Sequence, residues 1–148
     1  MARPVTPEIA ADIIIELVDR PGRPIVLIER HYEPFGWAIP GGFVDVGERV
    51  EHAALREALE EVGLEVQLKV LLGLYSDPTR DHRGHTVTAV YVGEAKGVPV
   101  AADDAKAAVI VHVDHMPSPL AFDHRQVLED YLQYRERGTV TPLRGSTL

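Results

Sequence analysis

The chain has 148 residues, 45% hydrophobic and 26% charged, the usage of a single ordinary globular domain, so a disordered, collagen-like or mainly coiled-coil chain is excluded. Against 15 basic side chains stand 23 acidic ones, and the resulting formal charge of −8 argues against attachment to nucleic acid or a membrane surface by broad electrostatics. The absence of cysteine excludes disulfides, thiolate nucleophiles and cysteine-held zinc, and the first apolar run, Ile13-Ile14-Ile15, is cut by Glu16 far short of the roughly 18 to 20 residues of a bilayer span; a cytoplasmic protein is expected.

Residues 12–20 and 24–30 are β-branched runs separated by Asp19-Arg20-Pro21-Gly22-Arg23, which predicts a hairpin. Residues 37–39 read as a short third strand that stops at Pro40-Gly41-Gly42, where a missing donor and two glycines predict the close approach of another group. Over residues 49–62 the apolar positions Val50, Ala53, Ala54, Ala58 and Val62 recur at spacings of three and four, a narrow stripe on a helix that Gly63 is placed to end. Strands are predicted at residues 66–75, 86–92 and 107–113, with polar loops between them. A second helix over residues 122–137 places Val127, Leu128, Tyr131 and Leu132 on one face and stops at Gly138, and the tail beyond Thr139 is expected to fray. Strands and helices so interleaved in one domain of residues 1–148 predict an α/β/α sandwich.

On the first predicted helix Glu57, Glu60 and Glu61 stand at i, i+3 and i+4, which brings three carboxylates to one side. Like charges so spaced cost about 0.2 to 0.5 kcal/mol per pair. The residues leave two readings, a solvated acidic face or a site for a hard cation such as Mg²⁺ or Mn²⁺, whose charge cancels the repulsion. None of the seven histidines has zinc-site spacing, and His85 alone is retained as a candidate.

The glutamates sit inside a longer pattern: Gly42, five residues, Glu48, seven residues, then Arg56-Glu57-Ala58-Leu59-Glu60-Glu61-Val62-Gly63-Leu64. With seven fixed identities at fixed spacing, chance coincidence is negligible. This segment, residues 42–64, resembles the complete Nudix box, with Ala58 a small choice at its apolar position. The resemblance to the Nudix hydrolases extends over nearly the whole chain and implies an α/β/α sandwich with a mixed sheet, whose loop-helix-loop motif binds divalent metal and cleaves a nucleoside diphosphate linked to another group. By position it implies Glu57 and Glu61 as the main metal ligands, Glu60 as an assistant and the Gly41 carbonyl as a further donor. Arg56 and Glu48 match positions that hold the catalytic glutamates by ion pairing. The base that deprotonates water is, by the same resemblance, a helix glutamate or a carboxylate from a mobile loop. Asp103 and Asp104 are the loop candidates, Asp104 being carried forward as catalytic, with an ordinary polar turn as the other reading.

Three stretches bear on the substrate: Pro34-Phe35-Gly36-Trp37-Ala38-Ile39-Pro40-Gly41-Gly42, Tyr75-Ser76-Asp77-Pro78-Thr79-Arg80-Asp81-His82-Arg83-Gly84-His85 and Leu120-Ala121-Phe122-Asp123-His124. All are similar to segments of prokaryotic ADP-ribose pyrophosphatases and of Nudix regulators of NAD metabolism, with His82 where that subgroup often has proline. The side chains themselves leave choices open. Arg80 and Arg83 either pair with Asp81 or grip a phosphate, and Phe35 and Trp37 either stack on adenine or pack in the core. With Gly42 and His85 these complete the substrate-binding candidates.

The function implied is Mg²⁺-assisted hydrolysis of ADP-ribose to AMP and ribose 5-phosphate, with Mn²⁺ as a substitute. Sugar nucleotides, NADH, diadenosine polyphosphates and oxidised nucleoside triphosphates are the other substrates of related enzymes. A sensor of ADP-ribose joined to a DNA-binding domain is the alternative from a different class. It is disfavoured by the acidic charge, the intact box and a final stretch too short for a winged helix. Related enzymes are often homodimers, which the apolar strands permit.

Overall fold

The computed structural model describes residues 2–102 and 105–147. In chain order its elements are β1 (Glu8–Leu17), β2 (Ile25–Arg30), β3 (Trp37–Ala38), β4 (Gly41–Phe43), α1 (Val50–Val62), β5 (Gln67–Tyr75), β6 (Thr86–Ala95), β7 (Ala105–Val111) and α2 (His124–Arg137). The strands form one mixed sheet in the order β3-β2-β1-β6-β5, with β4 also paired to β1 and β7 to β2. β1 and β6 run parallel from Glu8↔Thr86 to Leu17↔Ala95, while the other pairings are antiparallel.

The expected α/β/α sandwich follows from the two-residue period of the strands. On β1, Ala11, Ile13, Ile15 and Leu17 share one core with Ala53, Ala54, Ala58 and Val62 of α1. Ile14 points the other way and joins Val127, Leu128 and Tyr131 of α2. Each helix ends at the glycine expected to end it: Gly63 (φ +69°) donates its N–H to Leu59 O, and Gly138 (φ +74°) to Tyr134 O. The last carbonyls of α1 are met from another segment, by Val100 N–H to Val62 O and Ala102 N–H to Glu61 O, both at 2.9 Å.

Three details depart from the expectations. β1 starts at Glu8 rather than at residue 12, because exposed Glu8 and Ile9 are enrolled by backbone pairing to β6 and leave no burial pattern to read. The two glycines after Pro40 are themselves part of β4, paired to β1 at Asp12↔Gly41 and Ala11↔Gly42. A Cβ at Gly41 would collide with the Asp12 carboxylate and lie 2.5 Å from Ala11 O, so the predicted close approach is that of β1. The segment after Gly138 is tied down rather than frayed. Thr141 N–H donates to Leu72 O at 2.9 Å, the Thr141 hydroxyl meets Tyr75 Oη at 2.7 Å, and Arg144 clasps Asp130 through bonds of 3.0 and 2.9 Å. These tethers are polar and distant in sequence, so no local periodicity announces them. Among the described residues no helix is long and apolar enough to cross a membrane.

Candidate active site

Where β4 and the second half of α1 meet the strand ends and the segment leading into α2, a cavity of about 530 Å³ opens. Asp12, Glu57 and Glu61 line it, as do Arg30, Arg80 and Arg83. A chain of net charge −8 thus gathers four guanidinium groups in one cleft, that of Arg56 included, together with five carboxylates, Asp45 and Asp81 among them.

The helical spacing seen in the sequence delivers Glu57 and Glu61 to the cavity but not Glu60. Glu61 is buried and accepts the Gly41 N–H at 3.3 Å. Burial pushes its carboxyl up to about 9, reinforced by hydrogen bonding and like charge from Glu57 beside it and, more weakly, by Asp12. Glu57 lies beneath Gly42, where a Cβ would stand 2.5 Å from Oε1. A side chain at this position would therefore displace the Glu57 carboxylate. Glu60 is exposed, lies outside the cavity lining and receives Arg56 Nη1 at 3.2 Å.

Arg56 organises this side. Its Nε and Nη2 donate to the two oxygens of Glu48 at 2.8 and 2.9 Å, Nη1 donates to Glu57 at 2.9 Å, and Nη2 also reaches Phe43 O at 3.1 Å. Glu48 further accepts the Asp45 N–H at 3.1 Å and contacts His52 Nδ1 at 2.6 Å. The Arg56 guanidinium holds the Glu48 carboxyl well below the usual carboxylate range, and Glu48 in turn raises Arg56. A planar fork bonded to three carboxylates and a carbonyl fixes Glu57 relative to the β4 loop.

A divalent cation is consistent with these donors. Glu57 and Glu61 supply hard oxygen donors, close enough that Glu57 raises the Glu61 carboxyl, and Gly41 lines the same cavity. Among the described residues no group of three His, Cys, Asp or Glu side chains already stands in a metal-holding arrangement.

Each arginine has its own support. Arg80, only 5% exposed, donates through Nε and Nη2 to Asp123 at 2.9 and 2.7 Å and through Nη1 to Thr88 at 2.6 Å. Its partner is thus Asp123, not the Asp81 considered from sequence. Arg83 does pair with Asp81, with Nε at 3.0 and 3.2 Å and Nη2 at 2.8 Å, and this holds the Asp81 carboxyl below its ordinary value. Arg30 is anchored by Nε to Pro34 O at 2.8 Å. The guanidinium carbons of Arg30 and Arg83 stand 4.8 and 5.3 Å from the centre of the Phe122 ring. Phe122 has φ +53°, a left-handed conformation that is strained for a bulky residue.

Not every candidate reaches the cavity. Phe35 is 63% exposed and Trp37 packs against the core beneath α2, and neither lines the cleft. The aromatic side chains that do line it are Tyr32, Phe43 and Phe122. His85 is exposed, bonds Ser76 O at 2.9 Å and borders a neighbouring cleft that shares Phe43, Asp81 and Arg83 with the main one. Asp103 and Asp104 lie outside the described residues, although Ala102 just before them is bonded to the Glu61 carbonyl. Asp12, Arg30, Phe122 and His124 were not singled out individually from the sequence. Asp12 alone left a local signal, a carboxylate in the run Ala10-Ala11-Asp12-Ile13-Ile14-Ile15.

Comparison with known proteins agrees with this geometry. A family model described as the NUDIX domain matches residues 7–131. An ADP-ribose pyrophosphatase of Methanocaldococcus jannaschii is 43% identical over 132 residues, 87% of this chain and 75% of that protein. Another curated relative, from Bacillus subtilis, is spanned over 61% of its own length. Among solved structures, the NUDIX domain of Shewanella oneidensis NrtR complexed with ADP ribose superposes with a TM-score of 0.75 at 26% identity, covering 91% of this chain and 90% of that one. A MutT NUDIX hydrolase of Burkholderia pseudomallei gives 0.72 at 31% identity, covering 84% and 98%.

Proposed function

Since the chain belongs to the Nudix hydrolase family, we propose that it hydrolyses ADP-ribose to AMP and ribose 5-phosphate with the help of Mg²⁺, for which Mn²⁺ can substitute. One observation carries the reading: the Glu57–Glu61 pair and four arginines line the same cleft, the arrangement a doubly anionic diphosphate needs if it is to enter an acidic protein. The 43% identity to an ADP-ribose pyrophosphatase and the likeness to a domain complexed with ADP ribose support the choice of substrate.

Glu57 and Glu61, with Gly41, are the groups that would hold the cation. When bound, it supplies charge neutralisation between the carboxylates and the diphosphate, and Lewis acidity toward water. The side chains contribute the rest. Arg56 and Glu48 keep Glu57 in place. Arg30 and Arg83, converging over Phe122, offer positive charge to the phosphoryl oxygens on which the transition state accumulates charge. Water attacks one phosphorus, the bridging P–O bond breaks, and the two halves leave as AMP and the sugar phosphate.

The test is AMP release from ADP-ribose in Mg²⁺, comparing the wild type with Glu57→Gln and Glu61→Gln and with chelated enzyme. Turnover undiminished in both variants removes the roles given to these side chains. A panel of NADH, sugar nucleotides, diadenosine polyphosphates and oxidised nucleoside triphosphates identifies the preferred substrate. Tight calorimetric binding of ADP-ribose without hydrolysis in either metal would make the chain a sensor instead.

A further inference from the structure

Three consecutive residues leading into α2 send side chains to different parts of the cleft. Phe122 lies near the guanidinium groups of Arg30 and Arg83, Asp123 holds Arg80, and His124 reaches across to Asp12. The first two serve the arginines. His124 ends at the carboxylates, and the reaction as described leaves it unused.

His124 is 3% exposed. Its Nδ1 accepts the Ile39 N–H at 3.1 Å, so that nitrogen carries no proton and the protonated nitrogen, Nε2, is the one facing Asp12 Oδ2 at 3.2 Å. Both partners lead to the glycine loop. Ile39 immediately precedes Pro40-Gly41-Gly42, Pro40 O accepts the Ile13 N–H at 2.9 Å, and Gly41 N–H is the donor to Glu61. Asp12 Oδ1 lies so near Gly41 that no Cβ could be accommodated there. One imidazole is therefore joined both to the strand that delivers Gly41 and to the carboxylate against which Gly41 rests. Asp12 is buried, its side-chain hydrogen-bond partner is the imidazole, and its charge adds to the repulsion on Glu61 while attracting Arg30.

We propose that His124 is a positioning residue, which aligns the Asp12 carboxylate and the Ile39-Pro40-Gly41 backbone so that Gly41 and the Glu57–Glu61 pair form one oxygen-rich site for a divalent cation. This rests on the hydrolytic reading above, and Asp12 adds negative charge to the site without being assigned as a ligand. An apolar replacement of the imidazole leaves the cavity and the glutamates in place but frees the loop and Asp12 to drift, and loss of such supporting contacts typically costs about 10- to 100-fold in metal affinity or activity.

The experiment measures Mn²⁺ affinity by calorimetry without substrate, thermal stability, and kcat and KM for ADP-ribose, in wild type, His124→Phe, His124→Asn and Asp12→Asn. His124→Phe should weaken Mn²⁺ binding and lower kcat by about 10- to 100-fold, with KM for ADP-ribose within about threefold of wild type. His124→Asn, whose Oδ1 can stand in for Nδ1 as acceptor of the Ile39 N–H although the amide is too short to reach Asp12, should recover part of the lost affinity. Folded His124→Phe with wild-type Mn²⁺ affinity overturns the proposal, as does a loss that His124→Asn fails to relieve. Should His124→Phe not fold, Asp12→Asn decides, because unchanged Mn²⁺ affinity there also overturns it. If wild type releases no AMP from ADP-ribose, the substrate reading fails, and the manganese affinities still decide the positioning role.

Discussion

Tyr131 Oη donates a 2.7 Å hydrogen bond to Glu16 Oε2, joining α2 to the end of β1 at a point where neither side chain is more than 1% exposed. Glu16 also takes Lys69 Nζ at 3.1 Å, with Arg135 and Arg23 at 3.5 and 3.6 Å. Asp12 and Glu16 thus flank Ile14 in the β1 row that faces α2, each met by a side chain from that helix. Tyr131→Phe removes the hydroxyl and leaves a buried carboxylate oxygen short of a donor, so it should destabilise the protein by about 1 to 3 kcal/mol in urea unfolding. A loss below a few tenths would mean that the basic side chains already satisfy Glu16.

The segment beyond α2 makes a comparable contribution. Gly73 leaves room for Thr141, since a Cβ there would stand 2.5 Å from the Thr141 Cβ, and Tyr75 Oη donates to Asp130 Oδ2 at 2.7 Å while meeting Thr141 Oγ1 at the same distance. Ending the chain after Gly138 removes that hydroxyl together with Arg144, the cationic partner of Asp130. Truncation should lower stability by about 1 to 3 kcal/mol, read from the urea midpoint. An unchanged midpoint would show these tethers to be superfluous.

Arg56 bonds both oxygens of Glu48 and also Glu57, which an ammonium on a flexible stem cannot reproduce. Arg56→Lys should therefore reduce ADP-ribose turnover by about 10- to 100-fold while keeping the charge. Gly42→Ala should do at least as much, because its Cβ would displace the Glu57 carboxylate. Circular dichroism on both variants separates this from unfolding, and full activity in Gly42→Ala would show that Glu57 can move without consequence.

The raised carboxyl of Glu61 has a consequence for stability in chelator. Its proton is held more tightly in the native state, up to about 9, than at the ordinary value of 4.5, so the native chain binds more protons between those limits. The contribution is fully present below about pH 4.5 and is lost as pH rises toward 9. In EDTA the melting temperature should fall over that window more steeply for wild type than for Glu61→Gln, which cannot ionise. Parallel melting curves in the two proteins would contradict the shift.

Helix α1 was legible from sequence for a local reason. Intervals of three and four place Ala53, Ala54, Ala58 and Val62 on one face, and the same period sets Glu57 and Glu61 together, whatever the rest of the chain does. The sandwich was legible as well, because strand alternation and helix stripes carry their burial pattern in adjacent residues. The role of Gly42 was only half visible: a close approach could be inferred, but the partner, Glu57, lies one helix away. Phe35 and Trp37 were drawn toward the site by nearness in sequence, yet the chain turns one to solvent and the other beneath α2.

Arg30, Phe122 and the pair Asp12–His124 belong to a different category. Their partners are separated by tens of residues, and hydrogen bonds or ring contacts across such distances leave no period in the sequence. Local order along one helix or strand determined which carboxylates the protein presents. Only the docking of α2 and its preceding segment against β1 and β2 decided what faces them, since a cleft between elements exists only once the elements have packed.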